Sequence, residues 1–228
     1  MRRLLIIGLT LIGLQAYSQE VRWENITALH YAATGGSDLE HTLQQYLLFD
    51  SEVLNSHEHT IKNYLNYLED AYLFKQAKRY DVKGRKYYGS PLKYYATDIG
   101  LRNAKLNFRQ QERSHLMENI IFNELILRGY AVDVGVVELT TKNENGKPVQ
   151  SQYEIDFIVN TGRQKIYIQS ALNVDTPEKK DQETCSLKNS GDFFRKIVVL
   201  DGNQKLWTDD DGISYVGVIP FLIDENIL

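Results

Sequence analysis

The 228-residue chain has one cysteine, Cys185, so no disulfide can close within it and no cysteine-based zinc site can be built. Histidine is also scarce. Of the five (His30, His41, His57, His59, His115), only His57 and His59 stand together, flanking Glu58, whereas zinc needs three or four convergent ligands. No Gly-x-x-x-x-Gly-Lys-Ser/Thr phosphate loop is present. Gly35-Gly36 has neither the spacing nor the lysine, which removes the usual basis for binding and hydrolysing a nucleotide. There is no internal repeat and no low-complexity tract. The apolar run Leu4–Leu14 is eleven residues long, short of the roughly 20 that a membrane-spanning helix needs, so no span is expected in the mature chain.

What is present begins with that run. Arg2 and Arg3 precede it, and Ala16 and Ser18 place small residues before a cut ahead of Gln19, the pattern of a secretory signal. Met1–Ser18 therefore reads as a signal peptide, and the protein as exported. The other readings are a buried first strand or helix, or a start placed within a longer gene. The remaining composition, 43% hydrophobic and 25% charged, is that of a globular chain able to bury a core. Tyrosine stands out, with 15 against 8 phenylalanines, and suits interfaces and stacking surfaces as well as core edges.

The net charge of −4 hides an asymmetry. Residues 1–58 hold three basic and seven acidic side chains, 59–114 hold twelve and five, and 115–228 hold eleven and eighteen. A basic block inside an acidic protein is the footprint of contact with phosphates or an acidic partner. Helical spacing of Ile61, Tyr64, Leu65, Leu68, Ala71 and Tyr72 follows an earlier helical segment and a turn at Asp50–Asn55, outlining a helix-turn-helix. Two strand-like stretches, Tyr72–Tyr80 and Lys86–Tyr95, flank the turn Asp81-Val82-Lys83-Gly84. A helix pair followed by a basic hairpin is the plan of a winged helix, and residues 19–112 are assigned to it. Its wing would present Lys78, Arg79, Lys83, Arg85 and Lys86 to phosphates, with Tyr64 and Tyr88 available for stacking. Winged helices also dock proteins, so the partner is DNA or a protein.

Residues 113–228 read as a mixed-sheet α/β core. A helix over Ser114–Gly129, with Ser114 as its N-cap, precedes strands over Tyr130–Leu139, Gln152–Val159 and Lys165–Leu172. A helix over Thr176–Leu187, a strand over Lys196–Leu200 and a final edge strand over Gly212–Ile219 complete it. Asp156 and Gln169 lie on neighbouring strands joined by a short hairpin, and Glu118 arrives from the helix behind them. That grouping is how a magnesium nuclease gathers oxygen ligands, with Asp156 and Glu118 as the metal-ligand candidates.

Several segments then carry a family resemblance: Asn63-Tyr64-Leu65, Arg79-Tyr80-Asp81-Val82-Lys83-Gly84, Lys93-Tyr94-Tyr95, Asp98-Ile99-Gly100-Leu101-Arg102-Asn103, Glu118-Asn119, Glu154-Ile155-Asp156-Phe157 and Ile166-Tyr167-Ile168-Gln169. In this order they resemble the C-terminal region, a domain of unknown function, of bacterial and archaeal AAA-type ATP-binding proteins. The resemblance implies a cytoplasmic protein with a winged helix followed by a core of the PD-(D/E)XK restriction-endonuclease-like fold. It also implies an ATPase domain ahead of this region. Without a phosphate loop, the expectation is a chain that has lost that domain or is a piece of a longer one. The nuclease plan wants a second acid where Gln169 stands and a lysine where Ala171 stands, and alanine has no amine to orient water. The function expected is a non-catalytic DNA- or protein-binding module with a degenerate nuclease site and no cofactor. The alternatives are a metal-dependent nuclease using Glu118, Asp156 and Gln169, with Mg2+, and an exported interaction protein.

Overall fold

The computed structural model describes residues 63, 65–89, 92–105, 107–108, 112–142, 147–162 and 164–228. The signal-like segment, the first helix of the expected helix-turn-helix and Tyr64 lie outside these residues. Along the chain come β1 (Phe74–Ala77), β2 (Arg79–Asp81), β3 (Lys86–Tyr87), β4 (Lys93–Ala96), α1 (Ile99–Lys105) and α2 (Arg113–Leu127). They are followed by β5 (Ala131–Lys142), β6 (Pro148–Asn160), β7 (Lys165–Ala171), α3 (Pro177–Lys188) and β8 (Arg195–Leu200). The strands β9 (Trp207–Thr208) and β10 (Ile213–Gly217), then α4 (Val218–Ile223), complete the fold before a closing 3-10 turn.

Eight strands form one mixed sheet in the order β3-β2-β5-β6-β7-β8-β10-β9, and β1 pairs with β4 in a separate ribbon. This is the α/β class expected. The basic hairpin exists, with β1 antiparallel to β4 and β2 antiparallel to β3. It does not stand apart from the core, because β2 also runs parallel to β5, Arg79–Asp81 against Val134–Val136. The hairpin's tip is therefore the edge of the main sheet.

Three expectations change. The helix α2 starts at Arg113 with Glu112 as its N-cap and no side-chain capping bond, so Ser114 is inside the helix and not its cap. Its other end is as read: Gly129 takes φ 81, and Gly129 and Tyr130 donate to the carbonyls of Ile126 and Leu125, a Schellman closure that favours glycine. The stretch read as a final edge strand is interior and shorter. The strand β10 lies between β8 and β9, and Val218–Ile223 is helical, with Pro220 early enough in the helix to cost no interior hydrogen bond.

The sheet buries both faces. On one, Met117, Ile121, Phe122 and Leu125 of α2 and Phe221 of α4 cover Phe157, Val159, Ile168 and Val199. On the other, Leu187 of α3 covers Ile155, Ile158, Tyr167, Ala171 and Val198. Each such large side chain contributes about 1.5–3 kcal/mol relative to exposure. Thr176 caps α3 by accepting from the Lys179 N–H, and Pro177 opens its first turn.

One irregularity places the site. Between β5 and β6 the register slips: Asp133 faces Ile158, but Gly135 faces Ile155. Three steps on β6 match two on β5, which is a β-bulge at Asp156 and Phe157. Ordinary alternation would send Asp156 and Phe157 to opposite faces. The bulge breaks that alternation: Phe157 sits in the core beneath α2, and Asp156 is buried where the ladder from β6 to β7 ends.

Candidate functional site

A group of ionisable side chains meets at that bulge. From β4, the Lys93 Nζ lies 2.6 Å from Glu118 Oε1 on α2 and 2.6 Å from Glu154 Oε1 on β6. Arg79 of β2 pairs Nη1 with Glu154 Oε2 at 3.0 Å. Tyr95, two residues beyond Lys93, donates its hydroxyl to Glu118 Oε1 at 2.7 Å. Asp156 Oδ2 accepts from the Ser170 N–H at 2.7 Å, and Gln169 Oε1 accepts from the Asp156 N–H at 3.4 Å. Lys93 is 4% exposed, and Glu118 and Asp156 are 9% exposed.

Burial so deep should discharge a lysine. Desolvation does pull the Lys93 pKa down, but Glu118, then Glu154 and Asp156, outweigh it and hold the ammonium above its ordinary value. The Asp156 carboxyl moves the other way from most acids near a lysine. Its burial, reinforced by the Glu118 charge, pushes it well above the usual carboxylate range against the pull of Lys93. Burial and Glu118 also raise the Tyr95 phenol, so its hydroxyl remains a donor. Tyr95 is stacked on Phe122 with ring centroids 4.0 Å apart, which fixes the ring independently of the hydroxyl. A Tyr95→Phe variant should keep that stack and lose about 1–3 kcal/mol of stability, the usual worth of a hydrogen bond to a charged group, readable by urea denaturation.

The structure thus brings Asp156 and Gln169 together as expected, and it brings Glu118 to the same centre. Their arrangement does not suit a divalent metal. A cation shared by Glu118 and Glu154 would have to displace an ammonium already bonded to both. Gln169 turns its oxygen to a backbone N–H, and Ala171 is buried in the core beneath α3. Among the described residues, no three His, Cys, Asp or Glu side chains are grouped to hold a metal ion.

The other expected site residues divide. Lys78, Lys83, Arg85 and Lys86 are exposed on or beside the β2–β3 tip. Arg79 is instead committed to Glu154, so it belongs to the acidic centre and not to the basic surface. Tyr88 is half-buried, its hydroxyl donating to Glu138 Oε1 at 2.9 Å and Lys86 Nζ lying 5.9 Å from its ring centre. Lys93, Glu154 and Tyr95 are the members of this cluster that sequence reasoning did not place in it. The available signal was a lysine two residues before a tyrosine in the strand Lys93-Tyr94-Tyr95-Ala96, which puts both on one face, because a lysine on a buried face must be paired.

Residues 42–112 match the family model of a domain of unknown function (DUF8612), a span that includes β1–β4, Lys93 and the basic tip. An uncharacterized protein of Haemophilus influenzae is 36% identical over 173 residues, 76% of this chain and 39% of the relative. An uncharacterized protein of Methanocaldococcus jannaschii is 27% identical over 167 residues, 71% of this chain and 35% of the relative. No solved structure matches. No described helix is long and apolar enough to cross a membrane. The chain thus carries a domain of unknown function and is similar over about three-quarters of its length to uncharacterized proteins, of which it spans less than two-fifths.

Proposed function

We propose that this chain is a non-catalytic DNA-binding module, related to the C-terminal region of AAA-type ATP-binding proteins, with its winged-helix and nuclease-like parts used for contact and not for cleavage. The observation that carries the reading is the sheet edge, where Lys78, Lys83, Arg85 and Lys86 are all exposed within nine positions. Asp81, the acid among them, is buried in the turn and spends one oxygen on the Gly84 and Lys83 N–H groups. Residues 78–86 therefore expose positive charge in a protein of net charge −4, with an exposed acid beside them, Glu138, held by Tyr88 and Gln152, and phosphate is the complementary partner. The non-catalytic part rests on Lys93, whose ammonium already neutralises the carboxylates that would otherwise draw a metal.

The test is fluorescence anisotropy with a short DNA duplex across a salt series. The wild type should bind with strong salt dependence, and Lys83→Glu/Arg85→Glu/Lys86→Glu should lower the log–log salt slope by about 3, one for each phosphate no longer neutralised. Binding untouched by those changes would remove the reading. Magnesium-dependent cleavage abolished by Asp156→Ala would remove its non-catalytic half.

A further inference from the structure

The two longest strands outrun their neighbours. The ladder from β5 to β2 covers Val134–Val136, and that from β6 to β7 covers Phe157–Asn160. Beyond these, among the described residues, the ladder pairing of β5 and β6 is with each other, from Val137 opposite Tyr153 out to Lys142 opposite Pro148. The result is a two-stranded ribbon standing off the sheet.

Its two faces differ. Residues opposite each other in an antiparallel pair share a face, so Glu138 and Gln152 lie together, as do Thr140 and Gln150, and all four are exposed. The other face begins with Val137, which is fully buried, and Leu139, which packs against the core beneath α3. The polar face continues towards the basic edge through a chain of contacts. Gln152 Nε2 and the Tyr88 hydroxyl both donate to Glu138 Oε1, at 3.1 Å and 2.9 Å. Lys83 Nζ donates to the Glu138 carbonyl at 3.1 Å, and Lys86 Nζ lies 5.9 Å from the centre of the Tyr88 ring. Glu138 is thereby engaged on its carboxylate and on its carbonyl, and the ammonium groups stand at the ribbon's root.

We infer that this ribbon enters the major groove of duplex DNA, with Thr140, Gln150 and Gln152 facing base edges while Lys83, Arg85 and Lys86 hold the flanking phosphates. The inference rests on the duplex-binding reading above and adds where the sequence is read. Two strands about 4.8 Å apart fit a groove about 12 Å wide and 8.5 Å deep once their side chains are included. Glutamine suits the site because its amide can both donate and accept, matching the N6 and N7 edge of adenine. A duplex of RNA offers this ribbon no equivalent site, because its major groove is too narrow for side chains to read.

The experiment uses the full chain and a pool of short randomised DNA duplexes, with sequencing of the bound fraction and sedimentation run alongside. Wild type should enrich a subset of sequences rich in adenine steps. Gln150→Ala/Gln152→Ala, both at exposed positions, should bind the pool within about a factor of two of wild type, lose about tenfold on the enriched duplexes, and keep the salt slope. Enrichment unchanged in the double variant, wild-type binding without enrichment, or equal competition by an RNA duplex would each overturn the ribbon while leaving the duplex-binding reading in place. A change in sedimentation with unchanged enrichment would assign the ribbon to self-association and overturn it as well. No binding of the pool by wild type would remove the underlying reading, and the ribbon's role with it.

Discussion

Lys93→Met is expected to destabilise the protein by about 3–5 kcal/mol, the cost of leaving a buried ion pair with one partner removed. Methionine matches the length of the lysine stem, so the deficit reports charge more than volume. Glu118 and Glu154 would each be deprived of an ammonium at 2.6 Å, and Tyr95 alone would remain on Glu118 Oε1. The pH dependence separates this from a packing defect. In the wild type, the folded-state pKa of Lys93 lies above its ordinary value, so its contribution is complete at neutral pH and is lost only as pH rises through that raised value. In the variant, the Asp156 carboxyl, which burial and the Glu118 charge already hold above the usual range, loses the opposing pull of Lys93. That cost of ionising it is relieved by protonation, so the gap to wild type should narrow as pH falls from neutrality. Urea denaturation of both proteins across that range is the measurement. A gap that stays constant with pH would mean Lys93 acts through its methylene stem.

That centre shows where reading a sequence stops. The strands Lys165–Ala171 and Arg195–Leu200 were legible because short apolar runs, Ile166–Ile168 and Ile197–Leu200, are what a sheet covered on both faces requires. The helix α2 was legible because Gly129 marks its end. Asp156, Gln169 and Glu118 were legible as a group because a short hairpin brings two of them together and the third lies on the preceding helix. Lys93 was not, since it reaches Glu154 across 61 residues of sequence and no local period connects β4 with β6. The parallel pairing of β2 with β5 was hidden for the same reason, and with it the commitment of Arg79 to Glu154. The bulge at Asp156 was hidden differently. A strict two-residue period assigns each side chain to a face, and one inserted residue leaves no mark in a run such as Ile155–Val159, where every side chain is buried.

The bulge makes Gly135 a second position of large expected effect. Because Ile155 and Ile158 are separated by an extra residue yet point to the same face, they close over the strand opposite, and Gly135 lies beneath them. A Cβ there would stand 2.9 Å from Ile155 Cβ and 3.0 Å from Ile158 Cδ1. The nearer atom is fixed to the backbone of β6 and cannot turn away as a flexible chain end would. The strand must shift, and it carries Asp156 and Glu154 with it. Gly135→Ala should therefore cost about 1–3 kcal/mol as an overpacked core, although alanine is otherwise the better strand residue. Strain of this kind differs in its remedy from a lost charge. Ile158→Val in the Gly135→Ala background removes the Cδ1 that would stand 3.0 Å from the new Cβ and should recover part of the loss, whereas Ile158→Val alone should cost about 0.5–1.5 kcal/mol. Opposite signs for one substitution in the two backgrounds, measured by thermal and urea denaturation, would locate the strain at the bulge. Equal costs in both would mean that β6 has room to relax and that Asp156 does not depend on Gly135 for its place.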